Sequence, residues 1–306
     1  MKILISISFI LVLLNLANAQ HTQLLSQYTL NGLPSNPAYT GSYDVLAVSS
    51  SYRNQWIGFE GSPTTNTVSI HTPLKKDNNI SVGLLFYRDV IGKSFDNGIF
   101  GSYAYRFKLW NGKLSLGMNA GISLMQARLS EAIVINELDP VYSQNTPVSI
   151  LPNFSFGSYY NTDNYFVGFS IPYLLSHHLN EDKGRFNARH NFNEYNFLLA
   201  GGYNYKLNTE YSLKPSMLIR MNITSGIQFE PTAAVDYKEL LGFGLSYRSS
   251  DAVIALLKLN INSQFTLAYS YDFTTSKLRT FNSGSHELFL LYRFRYVSKS
   301  VSARFL

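Results

Sequence analysis

Between residues 265 and 273, Phe265, Leu267, Tyr269, Tyr271 and Phe273 alternate with Thr266, Ala268, Ser270 and Asp272. Successive side chains of a strand point to opposite faces, so this stretch has one oily face and one wet face. About nine residues are enough for a tilted strand to cross a bilayer. The same two-residue rhythm returns in Ile99/Gly101/Tyr103/Tyr105/Phe107, in Leu241/Phe243/Leu245/Tyr247 and in Leu288/Leu290/Tyr292/Phe294. It predicts about fourteen strands, near residues 44–53, 64–72, 79–88, 97–109, 113–125, 152–160 and 165–171 in the first half. The second half supplies 195–207, 211–221, 227–235, 241–248, 252–261, 265–273 and 286–294.

The connections add a second signal. With both mature termini in the periplasm, even-numbered connections face the periplasm and odd-numbered ones face outward. The even ones are short (residues 73–78, 110–112, 161–164, 208–210, 236–240 and 262–264), and Asn111-Gly112 is a strong hairpin signal. The long ones, residues 126–151, 172–194 and 274–285, all fall on the odd side. Short turns at one end and long loops at the other are the habit of outer-membrane barrels. The expected fold is all-β: a transmembrane antiparallel up-and-down β-barrel of about 14 strands, with both termini periplasmic.

The N-terminus changes that picture in one respect. Lys2, an apolar run from Ile3 to Leu16 and Ala17-Asn18-Ala19 have the layout of a secretory signal peptide, so residues 1–19 are set aside. Residues 20–43 are then expected as a periplasmic segment, 44–294 as the barrel and 295–306 as a periplasmic tail. Composition agrees with a membrane barrel. Aromatics make up 15% of residues and charged residues 14%, against about 25% charged in an ordinary soluble domain. After the leader no apolar run approaches the length of a transmembrane helix. With no cysteine, disulfides and thiol chemistry are excluded. The net charge of +6 is too mild and too scattered to point to nucleic acid.

The wet face is mostly Gly, Ser, Ala, Thr and Asn, so the charges on it stand out. His71, Arg106, Lys108, Arg248, Lys258, Asp272, Glu287 and Arg293, with Asp236, form a candidate lumen network that pairs across strands. Such a network either rigidifies the interior or lines a conducting pore. Tyr247, Tyr271, Phe273, Phe107, Trp110 and Phe294 suit interfacial girdles. His177-His178 beside Glu181 and Asp182 lacks the spacing of a fixed metal site and reads as a solvated loop. No nucleophile elbow, zinc-protease helix motif, phosphate loop or dinucleotide fingerprint is present. Neither an enzyme nor a cofactor is expected.

Two stretches do not alternate. Arg53, Asn54, Trp56, Phe59 and Pro63, with Gly58 and Gly61, form a compact aromatic loop that either plugs the lumen or offers a partner a docking surface. Ser283-Gly-Ser-His-Glu287 leads into the last strand. These segments resemble the PorP/SprF family of Bacteroidetes outer-membrane proteins associated with type IX secretion. The resemblance is carried by Gln27-Tyr28, Asn36-Pro-Ala-Tyr-Thr-Gly41, Tyr52-Arg-Asn-Gln-Trp-Ile-Gly-Phe59, Gly61-Ser-Pro63 and His71-Thr-Pro73. It resumes at Tyr247-Arg248, Asp251-Ala-Val253, Tyr269-Ser-Tyr-Asp272 and Ser283–Glu287. It implies an outer-membrane barrel that helps export or retain cargo at the surface, gliding adhesins among them. The implied partners are type IX secretion components and cargo with C-terminal sorting domains, in contact with outer-membrane lipid. A passive porin or hydrophobic-solute channel is the alternative.

Overall fold

The computed structural model describes residues 24–74, 79–131, 144–180 and 184–294. The leader at 1–19 and the tail at 295–306 lie outside the described residues. The chain forms β1 (Ala47–Asn54), β2 (Thr64–Pro73), β3 (Ile80–Ile91), β4 (Ser94–Leu109), β5 (Gly112–Ala127), β6 (Ser149–Asn161) and β7 (Tyr165–Ile171). A separate hairpin, β8 (Ser176–Asn180) with β9 (Arg185–Arg189), interrupts the series. The wall resumes with β10 (Asn196–Tyr203), β11 (Tyr205–Lys206), β12 (Tyr211–Asn222), β13 (Gly226–Tyr237), β14 (Leu241–Arg248), β15 (Ala252–Asn260), β16 (Phe265–Thr274) and β17 (Ser285–Arg293).

Neighbours in sequence are neighbours in the sheet, all antiparallel, and β1 pairs with β17. Pairing of β10 with β12 closes the circle. Because β10 and β11 are one strand broken at Asn204, both against β12, the barrel has 14 wall strands, as the alternation predicted. Closure leaves no unpaired edge, which is what allows a sheet to stand in lipid.

The wall is inside out relative to a soluble protein. In β14, Phe243 is 58% exposed while Arg248 is 0% exposed. Leu241, Leu245 and Tyr247 share the outward face, and Gly242, Gly244 and Ser246 the inward one. Burying arginine while exposing phenylalanine is favourable only where the outside solvent is hydrocarbon. Trp110, Tyr247, Phe273 and Phe294 lie exposed near strand ends, where girdles belong. The turn between β4 and β5 falls at Trp110-Asn111, one residue before the Asn-Gly pair, with Trp110 in the left-handed region at φ 47°.

One expectation is corrected. Residues 24–43, expected in the periplasm, fill the lumen. Leu25, Ser26, Asn31, Leu33, Ala38 and Thr40 are all essentially buried, inside a wall whose inward face is polar. The segment has no strand rhythm. It consists of tight turns, with Leu30 and Asn31 N–H groups donating to Gln27 O and those of Ser35 and Asn36 to Gly32 O, followed by a short 3-10 helix at Pro37–Tyr39. A surrounding polar wall, and not a hydrophobic periodicity of its own, holds it in place. It starts near the long-loop end, where Ser26 lies, and leaves at the short-turn end through Asp44 into β1. The first described residues and the end of β17 therefore lie at opposite rims.

Candidate functional site

The lumen segment is held differently at its two ends. Near the long-loop end, wall strands bring together Arg53 of β1, Arg220 of β12, Glu230 of β13, Arg248 of β14, Asp272 of β16 and Glu287 of β17. Arg53 pairs with Asp272 at 2.7 Å and with Glu287 at 3.3 Å. Arg248 pairs with Glu230 at 2.8 Å and with Asp272 at 3.1 Å, and Arg220 reaches Glu230 at 2.7 Å. Ser26 sits at the centre. Its hydroxyl donates to Asp272 and accepts from Arg53 at 2.9 Å and from Arg248 at 3.0 Å, which uses its full hydrogen-bonding capacity. Its backbone N–H donates to Glu287 at 2.7 Å. Three guanidiniums and three carboxylates almost out of contact with solvent are tolerable only because each is paired.

Near the short-turn end the fit is steric, aromatic and largely neutral. Asn36 caps the 3-10 helix through the Ala38 N–H, and its amide donates to the Ser158 carbonyl at 3.0 Å. Gly117 and Gly157 provide the room: a Cβ at Gly117 would lie 2.3 Å from Ala38 N, and one at Gly157 2.1 Å from Asn36 Oδ1. Gly41, at φ 78°, donates its N–H to His71 Nδ1 at 2.9 Å and accepts from Arg106 through its carbonyl. The His71 ring stacks on Tyr43 at 5.7 Å between centroids. Tyr39 meets Tyr43 and Tyr159 edge-on. Asp44 closes this end by pairing with Arg106 at 2.8 Å and Lys113 at 3.0 Å.

The predicted lumen residues therefore separate into groups. Arg248, Asp272 and Glu287 form one web, while His71 and Arg106 grip the segment at the other end. Lys258 shares Asp236 with Lys214 on a third sector, and Arg293 lies over the Tyr43 ring at 5.8 Å. Lys108 does not join: it is exposed on the short-turn rim, beside a hollow of about 700 Å³ lined also by Asp44, Trp110 and Lys113. A cavity of about 340 Å³ remains where Gln27 and Leu30 face Tyr159, Phe166, Lys214 and Lys258.

The aromatic loop also differs from its expectation. Arg53 belongs to the lumen web, and the plug is the N-terminal segment, not this loop. Asn54 ends β1, Pro63 is buried, Trp56 is half-buried and Phe59 is 45% exposed. The loop is pinned to the stretch before β17: Trp56 N–H donates to Ser285 Oγ at 3.0 Å, Ile57 N–H to Gly284 O at 2.8 Å, and Ser283 N–H to Ile57 O at 2.7 Å. The two non-alternating motifs thus make one rigid rim, to which Phe281 adds a second exposed ring. Beyond it, the β8–β9 hairpin is tied by His178 to Glu194 at 2.7 Å, while Glu181 and Asp182 lie outside the described residues. No cluster of metal-ligating side chains occurs among the described residues.

Ser26, Arg220 and Glu230 escaped the sequence reading. Glu230 was findable, because it falls on the inward parity of its strand. Ser26 was not, since nothing in a non-alternating segment marks which wall residues it will meet.

A family model for the type IX secretion system membrane protein PorP/SprF matches residues 17–292. The chain belongs to the PorP/SprF family. The match spans the lumen segment as well as the wall, so the plugged barrel coincides with the family's extent. It places this family member in the membrane-embedded part of the type IX system. No curated protein sequence matches it. Among solved structures it is similar to the Acinetobacter baumannii outer membrane protein Omp33, at 8% identity over 82% of this chain and 98% of that one, TM-score 0.48. It is also similar to a Pseudomonas aeruginosa FadL homologue (12% identity, 86% and 94% covered, TM-score 0.45) and to the TodX monoaromatic hydrocarbon channel (10%, 88% and 95%, TM-score 0.47). These likenesses are too distant to bring a transported solute with them.

Proposed function

We propose that this chain is a non-catalytic outer-membrane barrel of the type IX system that assists secretion and surface attachment of cargo, gliding adhesins being one class. It does so by presenting a rim rather than by passing material through its lumen. The observation that carries this reading is the lumen segment itself, held by ion pairs at one end and by close packing at the other. A barrel filled by its own chain has its long-loop face left for partners. There the pinned loop around Trp56 and Phe59, with Phe281, offers rigid aromatic surface at low entropic cost. In this reading the long loops face outward, the signal peptide is removed on export, and type IX components and sorting domains are the partners.

Replacing Trp56 and Phe59 together with Ser tests the proposal in a cell that displays a type IX adhesin. Surface display should fall while the amount of folded barrel stays level; unchanged display rejects the rim as the partner site. The cavity beside Lys214 and Lys258 favours a second reading, a narrow solute channel. Planar-bilayer recording separates the two: the purified barrel should be silent, and steady single-channel steps would favour the channel.

A further inference from the structure

On the outward face of the fourteen wall strands, among the described residues, Arg88 is the only residue with a permanent charge. Every other outward position is apolar, aromatic, small or neutral polar. Arg88 lies on β3 in the same outward row as Val82, Leu84 and Phe86, toward the long-loop end of the strand and level in register with Asn66 of β2 and Asn97 of β4. It does not stand alone. Arg128 directly follows β5, and both guanidiniums lie over the outward ring of Phe95, at 5.6 Å and 4.6 Å from its centroid. The Arg128 N–H donates to the carbonyl of Lys93 in the β3–β4 turn at 2.9 Å, so the backbone of a third basic residue adjoins them. Among the described residues, Glu131 is the carboxylate paired with this group, 3.6 Å from Arg128, and both side chains of that pair are nearly half exposed.

Two guanidiniums over one outward ring, with Lys93 in the adjoining turn at the long-loop end, are poorly explained as barrel stabilisers. Their own repulsion works against the fold, and among the described residues one half-exposed carboxylate is paired against it. Arginines held over an aromatic ring by their guanidinium carbons can still present N–H groups to a phosphate, which they bind in a forked geometry. The exposed Val148 and Ile150 around the start of β6, the strand next to β5, extend the apolar surface beside them. We propose that Arg88, Lys93 and Arg128 around Phe95 form a binding site for the phosphate of a membrane lipid headgroup, with its acyl chains along the belt under β3–β6. On the reading that the long loops face outward, that lipid belongs to the outer leaflet.

The test uses the full mature chain in neutral detergent, titrated with diphosphoryl lipid A, with the same lipid after removal of its phosphates, and with inorganic phosphate, bound lipid being counted by native mass spectrometry. Wild type should prefer the phosphorylated lipid by about tenfold or more, the size of losing one or two charge-assisted bonds. The double variant Arg88→Gln/Arg128→Gln should lose that preference while running as a folded barrel, and Lys277→Gln/Arg279→Gln, loop cations at the same end, should keep it. Equal binding of both lipids by wild type overturns the site. So does equal loss in both double variants, which would mean a diffuse charge effect. Displacement by inorganic phosphate at matched concentration would make it a free-anion site and overturn the lipid assignment. None of these readouts involves secretion, so failure here and failure of the rim proposal are distinguishable.

Discussion

The two ends of the lumen hold the same segment by unlike means. At the long-loop end Ser26 is gripped by charge: two arginines, an aspartate and a glutamate converge on one small residue. At the short-turn end Asn36 to Asp44 are held by shape, with glycines for clearance, stacked rings, a backbone N–H on His71, and Asp44 paired with Arg106 and Lys113 at the mouth. The difference concerns how each end can let go. A charge web is directional and fails all at once, because losing one member leaves others buried and unpaired. A steric fit fails gradually, as volume is added or removed.

Arg248→Ala should have the largest effect. It strips Glu230 and Asp272 of a shared partner and leaves the Ser26 hydroxyl one donor short, at a cost of about 3–5 kcal/mol. Urea unfolding in detergent would read the loss. Hydrogen exchange should show residues 24–30 opening first while 36–43 stay protected. Simultaneous opening of both ends would mean the segment is one unit and the contrast is false.

Leu267→Arg sharpens the contrast from outside. It puts a cation on the lipid face of β16, costing up to about 2–4 kcal/mol, the value for the bilayer midplane. The lumen segment should remain seated at both ends, because nothing inside has changed. A comparable change at Ala268, which is buried against Phe289 in the lumen, should instead disturb packing within. Equal effects of the two would contradict the inward and outward assignment.

Gly117→Val attacks the short-turn end alone. The new side chain would strike the backbone at Ala38, and overpacking of this kind costs about 1–3 kcal/mol. Residues 36–43 should lose exchange protection while Ser26 stays bound, the mirror image of Arg248→Ala. Appearance of ion conductance in this variant but not in wild type would confirm that the segment is what closes the lumen.

The wall was legible in the sequence and the plug was not, for one physical reason. A strand facing lipid on one side must alternate, so each of the fourteen wall strands left its period in the chain, and the inward charges could be named from parity alone. His71, Arg106, Arg248, Asp272 and Glu287 were found that way. The segment at 24–43 touches no lipid and belongs to no ladder, so its sequence carries turns and caps but no period. Its Asn-Pro and Gly read as punctuation, and only the structure shows what they abut. Arg53 was misplaced for a related reason: it sits where alternation stops and the aromatic loop begins, so its last inward position was read as the first of the loop.

The smallest effect concerns a third region, the β8–β9 hairpin, which is neither wall nor plug. Burial works against the charge of Glu194, yet bonds from Ser176, His178 and Asn191 outweigh it and hold the carboxyl below its ordinary range. A depressed carboxylate contributes stability that is present above its unfolded value and is lost as pH falls through the folded one. Acidification from neutral to below about pH 4 should therefore loosen residues 176–189, by little, because the site is largely solvated. Exchange of the hairpin amides should rise on acidification in wild type and be already raised, and flatter with pH, in Glu194→Gln. The plug amides should not follow, since the bonds of Glu194 go to Ser176, His178 and Asn191. Parallel loosening of hairpin and plug would show that the outer loops and the lumen respond as one, and would erase the distinction between them.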